Sequence, residues 1–193
     1  MRIRTFLIFG APGSGKGTQG KILGTIPGFS HIACGDVFRG LDLNSSVGKS
    51  FLEYSSRGQL VPDEFTIAQW RTHMDKMMTM GRLKKDIDHL VLDGIPRNVH
   101  QAEMLEADIE VKKVFHLSCP DRSKLVERLK RRALKDNRFD DANEEIITKR
   151  LLTYESETKP VLEYYGPDKI VDIDANNYPY EVLRQILTYV DTK

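Results

Sequence analysis

Gly10-Ala11-Pro12-Gly13-Ser14-Gly15-Lys16-Gly17-Thr18 is the stretch on which the fold turns. The run before it, Phe6-Leu7-Ile8-Phe9, is short, apolar and unbroken by charge, which predicts a buried β-strand. The residues after it, from Thr18 to Leu23, can begin a helix. A glycine-rich turn between strand and helix points successive backbone N–H groups inward, making an anion nest at a helix N-terminus. Lys16 adds a positive charge for the outer groups of a bound polyphosphate. The spacing is that of a P-loop with one departure. The general pattern places Ser or Thr directly after the lysine, whereas here Gly17 intervenes before Thr18. The other reading of these residues is a tight turn that binds nothing. The strand before it, the extra glycines Gly13 and Gly17 and the helix after it favour the phosphate cradle.

Working outward, Ile26-Pro27-Gly28 ends the first helix and Phe29 to Ala33 reads as a second strand, with His31 half-buried in it. Gly35-Asp36 leads into a helix with Asp36 as its expected N-cap, and Arg39 follows within that turn. Asp63 is expected to cap a longer helix, on which Ile67, Trp70, Met74, Met77 and Met78 fall at core spacing. His89 to Asp93 is a third strand, ending in an acid followed by Gly94. An acid at the carboxyl end of a parallel strand lies in the crevice where open α/β sheets bind ligands. Near a P-loop it typically holds Mg²⁺, although Asp-Gly is equally a common turn pair. Val111 to Leu117 gives a fourth strand, and Pro120-Asp121 starts a helix on which Arg128 and Arg132 share a face. Ala133 to Asp141 is a short polar segment containing Arg138. Asn143-Glu144-Glu145 opens a helix carrying Arg150, Lys169 to Ile173 is a fifth strand, and Val182 to Val190 marks a last amphipathic helix. Five strands with helices between them predict an α/β fold with a parallel sheet covered on both faces.

Bulk properties narrow the function classes. The 193 residues suit one compact domain, and a net charge of +1 gives no global field for nucleic acid or membrane. Cys34 and Cys119 form no CxxC unit, so neither a zinc site nor a disulfide framework is indicated, which fits a reducing compartment. No apolar run approaches a membrane span, and residues 1–9 are committed to the strand rather than to a cleaved signal. A cytoplasmic protein is expected.

One lysine, one strand-end aspartate and arginines at element ends fall where a single cleft could collect them. Phosphoryl transfer asks for this set: in-line positioning, and positive charge spread over the transferring group. At this point the sequence resembles the adenylate kinases, among the nucleoside monophosphate kinases. The resemblance rests on Gly10 to Gln19, Gly35-Asp36 through Arg39, Gly58 to Asp63, Asp93 to Arg97 with Gln101, and Arg128, Arg132 and Arg138 followed by Asp140-Asp141. These segments run in the family's order along the whole chain, and Gly17-Thr18 is the family's own form of the loop.

The resemblance implies a P-loop NTPase fold with an insert for the acceptor nucleotide at residues 39–64 and a short lid at 133–141. It implies reversible, Mg²⁺-dependent transfer of the ATP γ-phosphoryl group to AMP, giving two ADP, by a monomer. Gly13, Ser14, Gly15, Lys16, Gly17 and Thr18 would hold ATP phosphates, with Arg128 against its adenine and Arg132 on the transferring group. Arg39 and Arg97 would grip the AMP α-phosphate, Gln59, Leu60 and Val61 would line its base and ribose, and Cys34 and Gly94 would complete that wall. Gln101 would read the adenine edge, to which an amide can pair bidentately. Arg138 and Arg150 would converge on the phosphates of both substrates, making Lys16, Arg97, Arg132, Arg138 and Arg150 the catalytic set. Asp93 would orient Mg²⁺ through water, and the short lid implies no structural zinc. Three residues depart from the family. Cys34 stands where Thr is usual, Ile95 replaces Phe, and Asp136-Asn137 precedes Arg138 in place of Ser-Gly. Cys34 keeps open a kinase preferring UMP or CMP, since those relatives carry a small apolar residue there. A nucleotide-binding protein without turnover is the remaining alternative; it would have no use for Arg39, Arg97 and Gln101.

Overall fold

The chain forms a five-stranded, all-parallel sheet in the order β2-β3-β1-β4-β5. The computed structural model describes residues 2–42, 44–136, 141 and 143–190. The strands are β1 (Ile3–Phe9), β2 (Phe29–Ala33), β3 (His89–Asp93), β4 (Ile109–Ser118) and β5 (Ile170–Asp174). The first crossover leads from β1 to β2 on one flank, and β4 and β5 extend the other. The direction of winding therefore reverses beside β1, the position at which open α/β sheets form a ligand crevice.

Period-two alternation sends neighbouring strand residues to opposite faces, and the sequence supplies apolar side chains to both. Leu7, Phe9, Leu90, Leu92 and Val114 pack on one face with Phe38, Ile67, Trp70, Met74 and Leu105. These come from helices α2 (Cys34–Arg39), α4 (Asp63–Thr79) and α5 (Val99–Leu105), and Val161 of α8 (Val161–Tyr165) joins them. Phe6, Ile8, Val91, Phe115 and Leu117 pack on the other face against Leu23 of α1 (Lys16–Leu23) and Val182 and Ile186 of α9 (Pro179–Thr188). A separate cluster joins Leu125 and Leu129 of α6 (Arg122–Asp136) to Ile147 and Leu151 of α7 (Glu144–Thr153), with Tyr154 beneath. Full burial of each such side chain contributes about 1.5–3 kcal/mol, so this small third cluster fixes the α6–α7 pair that borders the crevice. The remaining helix, α3 (Ser46–Ser56), lies within the 39–64 segment and is capped by the Ser45 side chain, which accepts from the Gly48 N–H at 3.0 Å.

Several local expectations change. Asp36 is not an N-cap: α2 already starts at Cys34, and Asp36 is paired with Arg39 one turn on. Asp63 is the first residue of α4, with Pro62 in the cap position, and its carboxylate is turned to α5 instead. The polar segment read from Ala133 begins as helix, because α6 runs on to Asp136. Residues 137–140, including Arg138 and the middle of the expected lid, lie outside the described residues. β4 spans Ile109 to Ser118, longer at both ends than its apolar run, because pairing with β1 adds Ile109 and Glu110 and pairing with β5 adds Ser118.

Candidate active site

The loop after β1 enters α1 with Gly15 at the cap position in a left-handed conformation, φ +100°. Gly13 also has positive φ, +86°, and a side chain there would meet the Leu125 carbonyl oxygen at 2.8 Å. The loop is thus pressed against α6, and glycine is the residue that permits the approach. Gly17 has a different role. An added methyl would lie 3.4 Å from Asp93 Oδ2, so the inserted glycine brings the first turn of α1 into contact with the end of β3. The Ser14 hydroxyl is buried and has no hydrogen-bond partner among the described residues, at the wall of the crevice.

The Lys16 ammonium donates to the Gly10 and Ala11 carbonyls at 2.7 and 3.1 Å. Burial above all, with the charges of Arg132, Arg97 and Arg150 and against the opposing pull of Asp93, brings its pKa down from 10.5 to about 8. Those cations come from α6, from the loop after β3 and from α7, so the field at Lys16 records their convergence.

Each arginine has a tether. Arg97 folds back to donate from Nε to the Gly94 carbonyl at 2.9 Å. Arg128 donates to the Ala175 carbonyl at 3.0 Å, and Arg39 pairs with Asp36 at 2.5 Å. Arg132 and Arg150 both meet Asp141, whose carboxylate is wholly buried. Arg132 donates from Nε to Asp141 Oδ2 at 2.7 Å, and Arg150 binds the other oxygen. Behind Arg150, Tyr154 begins a π-helical turn (Tyr154–Thr158), and its hydroxyl lies 3.2 Å from His116 Nε2. His116 Nδ1 in turn lies 2.6 Å from Asp172 Oδ1, which ties β4 and β5 to the base of this arginine pair.

These groups line one cleft of about 1080 Å³ at the carboxyl edge of the sheet. Gly13, Ser14, Gly15, Lys16, Gly17, Thr18, Arg128 and Arg132 face it, as do Arg39, Gln59, Leu60, Val61, Gly94, Arg97 and Arg150, with Asp93 between the two sets. Two expected residues do not. Cys34 and Gln101 are buried behind the wall, 3% and 1% exposed. Burial pushes the Cys34 thiol up to about 11, which keeps it protonated and inert. Gln101 is engaged by Asp63 and the Arg97 backbone instead of facing the cleft. Arg138 lies outside the described residues.

Asp141 and Asp63 are the residues whose partners sequence reasoning missed. Asp141 stands nine residues from Arg132 and nine from Arg150, a spacing with no helical or strand meaning.

The family model described as adenylate kinase matches residues 8–170. The chain belongs to the adenylate kinase family. It is 36% identical over 193 residues to an adenylate kinase of Bacteroides fragilis, an alignment covering 96% of this chain and 97% of that protein. It is 36% identical over 195 residues to one of Thermobifida fusca, covering 97% and 98%, and 37% identical over 194 residues to one of Cyanothece, covering 96% and 94%. The parallel sheet with helices on both faces is the P-loop architecture of this family. Among the described residues no helix is long and apolar enough to cross a membrane, and no group of three or more His, Cys, Asp or Glu could hold a metal ion.

Proposed function

We propose that the protein transfers the γ-phosphoryl group of ATP to AMP, reversibly, giving two ADP. The observation that carries the reading is that one cleft is lined at once by the glycine-rich loop with Lys16, by Asp93, and by arginines from three separate elements, Arg97, Arg132 and Arg150. The donor phosphates lie on Gly13 to Thr18, with Lys16 reaching the transferred group and Arg128 beside the donor base. The acceptor α-phosphate is held by Arg39 and Arg97, and Gln59 to Val61 line the acceptor ribose and base. Arg132, Arg138 and Arg150 stabilise the phosphoryl group in transit, where electrostatic preorganisation supplies most of the rate. No covalent intermediate on the protein is required.

The donor set fits Mg²⁺ better than a dedicated metal cage. Asp93 is one buried carboxylate at the strand end beside Gly17, and Mg²⁺ keeps several waters while binding one or two carboxylates plus substrate phosphates. Bound there, the ion would neutralise charge on the outer phosphates, and Asp93 would orient its water shell. The 39–64 segment and the 133–141 segment act as the two covers that exclude water from transfer. The protein works as a cytoplasmic monomer in this reading.

Acceptor specificity tests it. Purified protein is incubated with Mg·ATP and, separately, AMP, CMP, UMP or GMP, and diphosphate formation is counted. AMP is expected to give the highest kcat/KM. Preference for a pyrimidine nucleotide would make Cys34 the decisive departure and move the assignment to the sister kinases. No transfer to any acceptor would leave only nucleotide binding.

The depressed pKa of Lys16 has a signed consequence for binding. In the free protein a falling fraction of Lys16 is charged as pH rises through about 8. Bound phosphates favour the ammonium form, so binding ATP between pH 8 and 9 takes up a proton and weakens as pH rises across that window. Titration calorimetry at pH 8.5 in two buffers of different ionisation enthalpy should show uptake of a substantial fraction of one proton. Equal heats in the two buffers would mean that Lys16 stays charged throughout.

A further inference from the structure

Arg97 stands between β3 and α5, outside any helix or strand, so no ladder or helical bond fixes its backbone. Two side chains do so instead. Gln101 Oε1 accepts from the Arg97 N–H at 2.8 Å, and the Thr158 hydroxyl donates to the Arg97 carbonyl at 2.7 Å. A carbonyl only accepts, so the hydroxyl proton points to it. Gln101 is buried on α5, directly after this loop. Thr158 comes from 61 residues along the chain, at the end of the π-helical turn that continues α7. Thr158 lines the cleft together with Arg97 and Arg150.

The π turn explains how a threonine on this run reaches across. Thr72, Thr153 and Thr188 donate to the carbonyl four residues back in their own helices, at 2.9, 2.9 and 3.0 Å. For Thr158 that carbonyl belongs to Tyr154, and it accepts the Lys159 N–H at 2.9 Å, the i→i+5 bond of a π turn. The Thr158 hydroxyl leaves its own helix and is directed at the loop after β3. The backbone stays right-handed helical at Thr153, Tyr154 and Lys159, so α7 and the π turn form one run. Arg150 stands on that run, paired with Asp141. One helical run therefore carries one guanidinium of the cleft and holds the backbone of another.

We propose that Thr158 is a positioning residue for the acceptor nucleotide: its hydroxyl holds the Arg97 carbonyl and so sets Arg97 in register with Arg150. The inference rests on Arg97 gripping the acceptor phosphate, and it names what places that arginine. Arg97 Nε is tied to the Gly94 carbonyl within the same loop, and that bond does not set where the loop stands relative to α7. The Thr158 bond does. A guanidinium binds phosphate through a planar fork, which demands a fixed approach. Loosening the loop therefore weakens acceptor binding, whereas the donor cradle hangs from β1 and α1. The bond is part-buried, so water replaces it on either group and the fold keeps most of its stability.

The test measures the dissociation constants of AMP and of Mg·ATP by titration calorimetry, each nucleotide alone so that no transfer occurs. Valine keeps the shape of threonine without the hydroxyl, and serine keeps the hydroxyl. Thr158→Val should raise the AMP dissociation constant about three- to tenfold, the scale of one hydrogen bond. The Mg·ATP constant should stay within about twofold, a split that general destabilisation would not give. Thr158→Ser should stay within about twofold of the wild type for both nucleotides. In an Arg97→Lys background, Thr158→Val should cost less than about twofold in AMP binding, because a flexible lysine depends less on where its backbone stands. An AMP constant unchanged in Arg97→Ala would overturn the phosphate-gripping role and the inference with it. Weakened AMP binding in Arg97→Ala but not in Thr158→Val would overturn the Thr158 inference alone. So would an equal loss for AMP and Mg·ATP in Thr158→Val, or an equal cost of that substitution in the Arg97 and Lys backgrounds.

Discussion

Lys16→Met should reduce phosphoryl transfer by about a hundredfold to a thousandfold, the scale set by removing one preorganised group that stabilises transition-state charge. Lys16 is the convergence point of Arg97, Arg132 and Arg150 and the cation seated within the glycine-rich loop itself. Methionine keeps the length and apolar stem but removes the charge. The fold should tolerate this. Burial disfavours the Lys16 ammonium, so at pH 7, below both its folded value of about 8 and the unfolded value near 10.5, the charged form costs stability that methionine does not. The loss of two hydrogen bonds to the Gly10 and Ala11 carbonyls opposes that gain. Thermal unfolding should therefore shift by only a few degrees, while single-turnover transfer from Mg·ATP to AMP collapses. Near-normal turnover would remove Lys16 from the chemistry.

Asp141→Ala should damage both stability and turnover. Its carboxylate is fully buried and binds Arg132 through one oxygen and Arg150 through the other. Removing one partner of such a pair typically costs about 3–5 kcal/mol because the remaining charge is left uncompensated. Arg132 and Arg150 keep 31% and 19% side-chain exposure, so water recovers part of that loss and the low end, roughly 3 kcal/mol, is expected. Turnover should fall by about tenfold to a hundredfold, mostly in kcat, because two guanidinium groups lose the geometry that presents them together. Denaturant unfolding and steady-state kinetics at pH 7 separate the two effects. A stability loss with unchanged kcat would confine Asp141 to packing.

Both predictions turn on residues of different legibility. Lys16 is announced by its neighbours: an apolar strand, glycines and a helix start define a phosphate cradle within eighteen residues. Asp141 falls in a segment of the family resemblance, but its neighbours do not name its partners, which come from α6 and α7 meeting over a small cluster of Leu125, Leu129, Ile147 and Leu151. Gln101 shows the same contrast. Its place in the motif was legible, but its engagement by Asp63, 38 residues earlier in the chain, was not. Asp63 itself looked like a helix cap because Asp before an apolar stripe commonly is one. The cap position went to Pro62, and packing of α4 beside α5 gave the carboxylate three better partners.

The sequence by itself determined the five strands, their alternation with helices, the loop after β1 and the residues that carry the family resemblance. Such features follow from local rules: periodicity, turn chemistry and short motifs are written in neighbouring residues. Only the tertiary structure decided which polar side chains hold the site. It joined Asp141 to two arginines, Asp63 to Gln101, and His116 to Asp172 and Tyr154. A buried polar group takes whichever complementary partner the packed helices and strands bring within about 3 Å, and that choice depends on distance in space rather than along the chain.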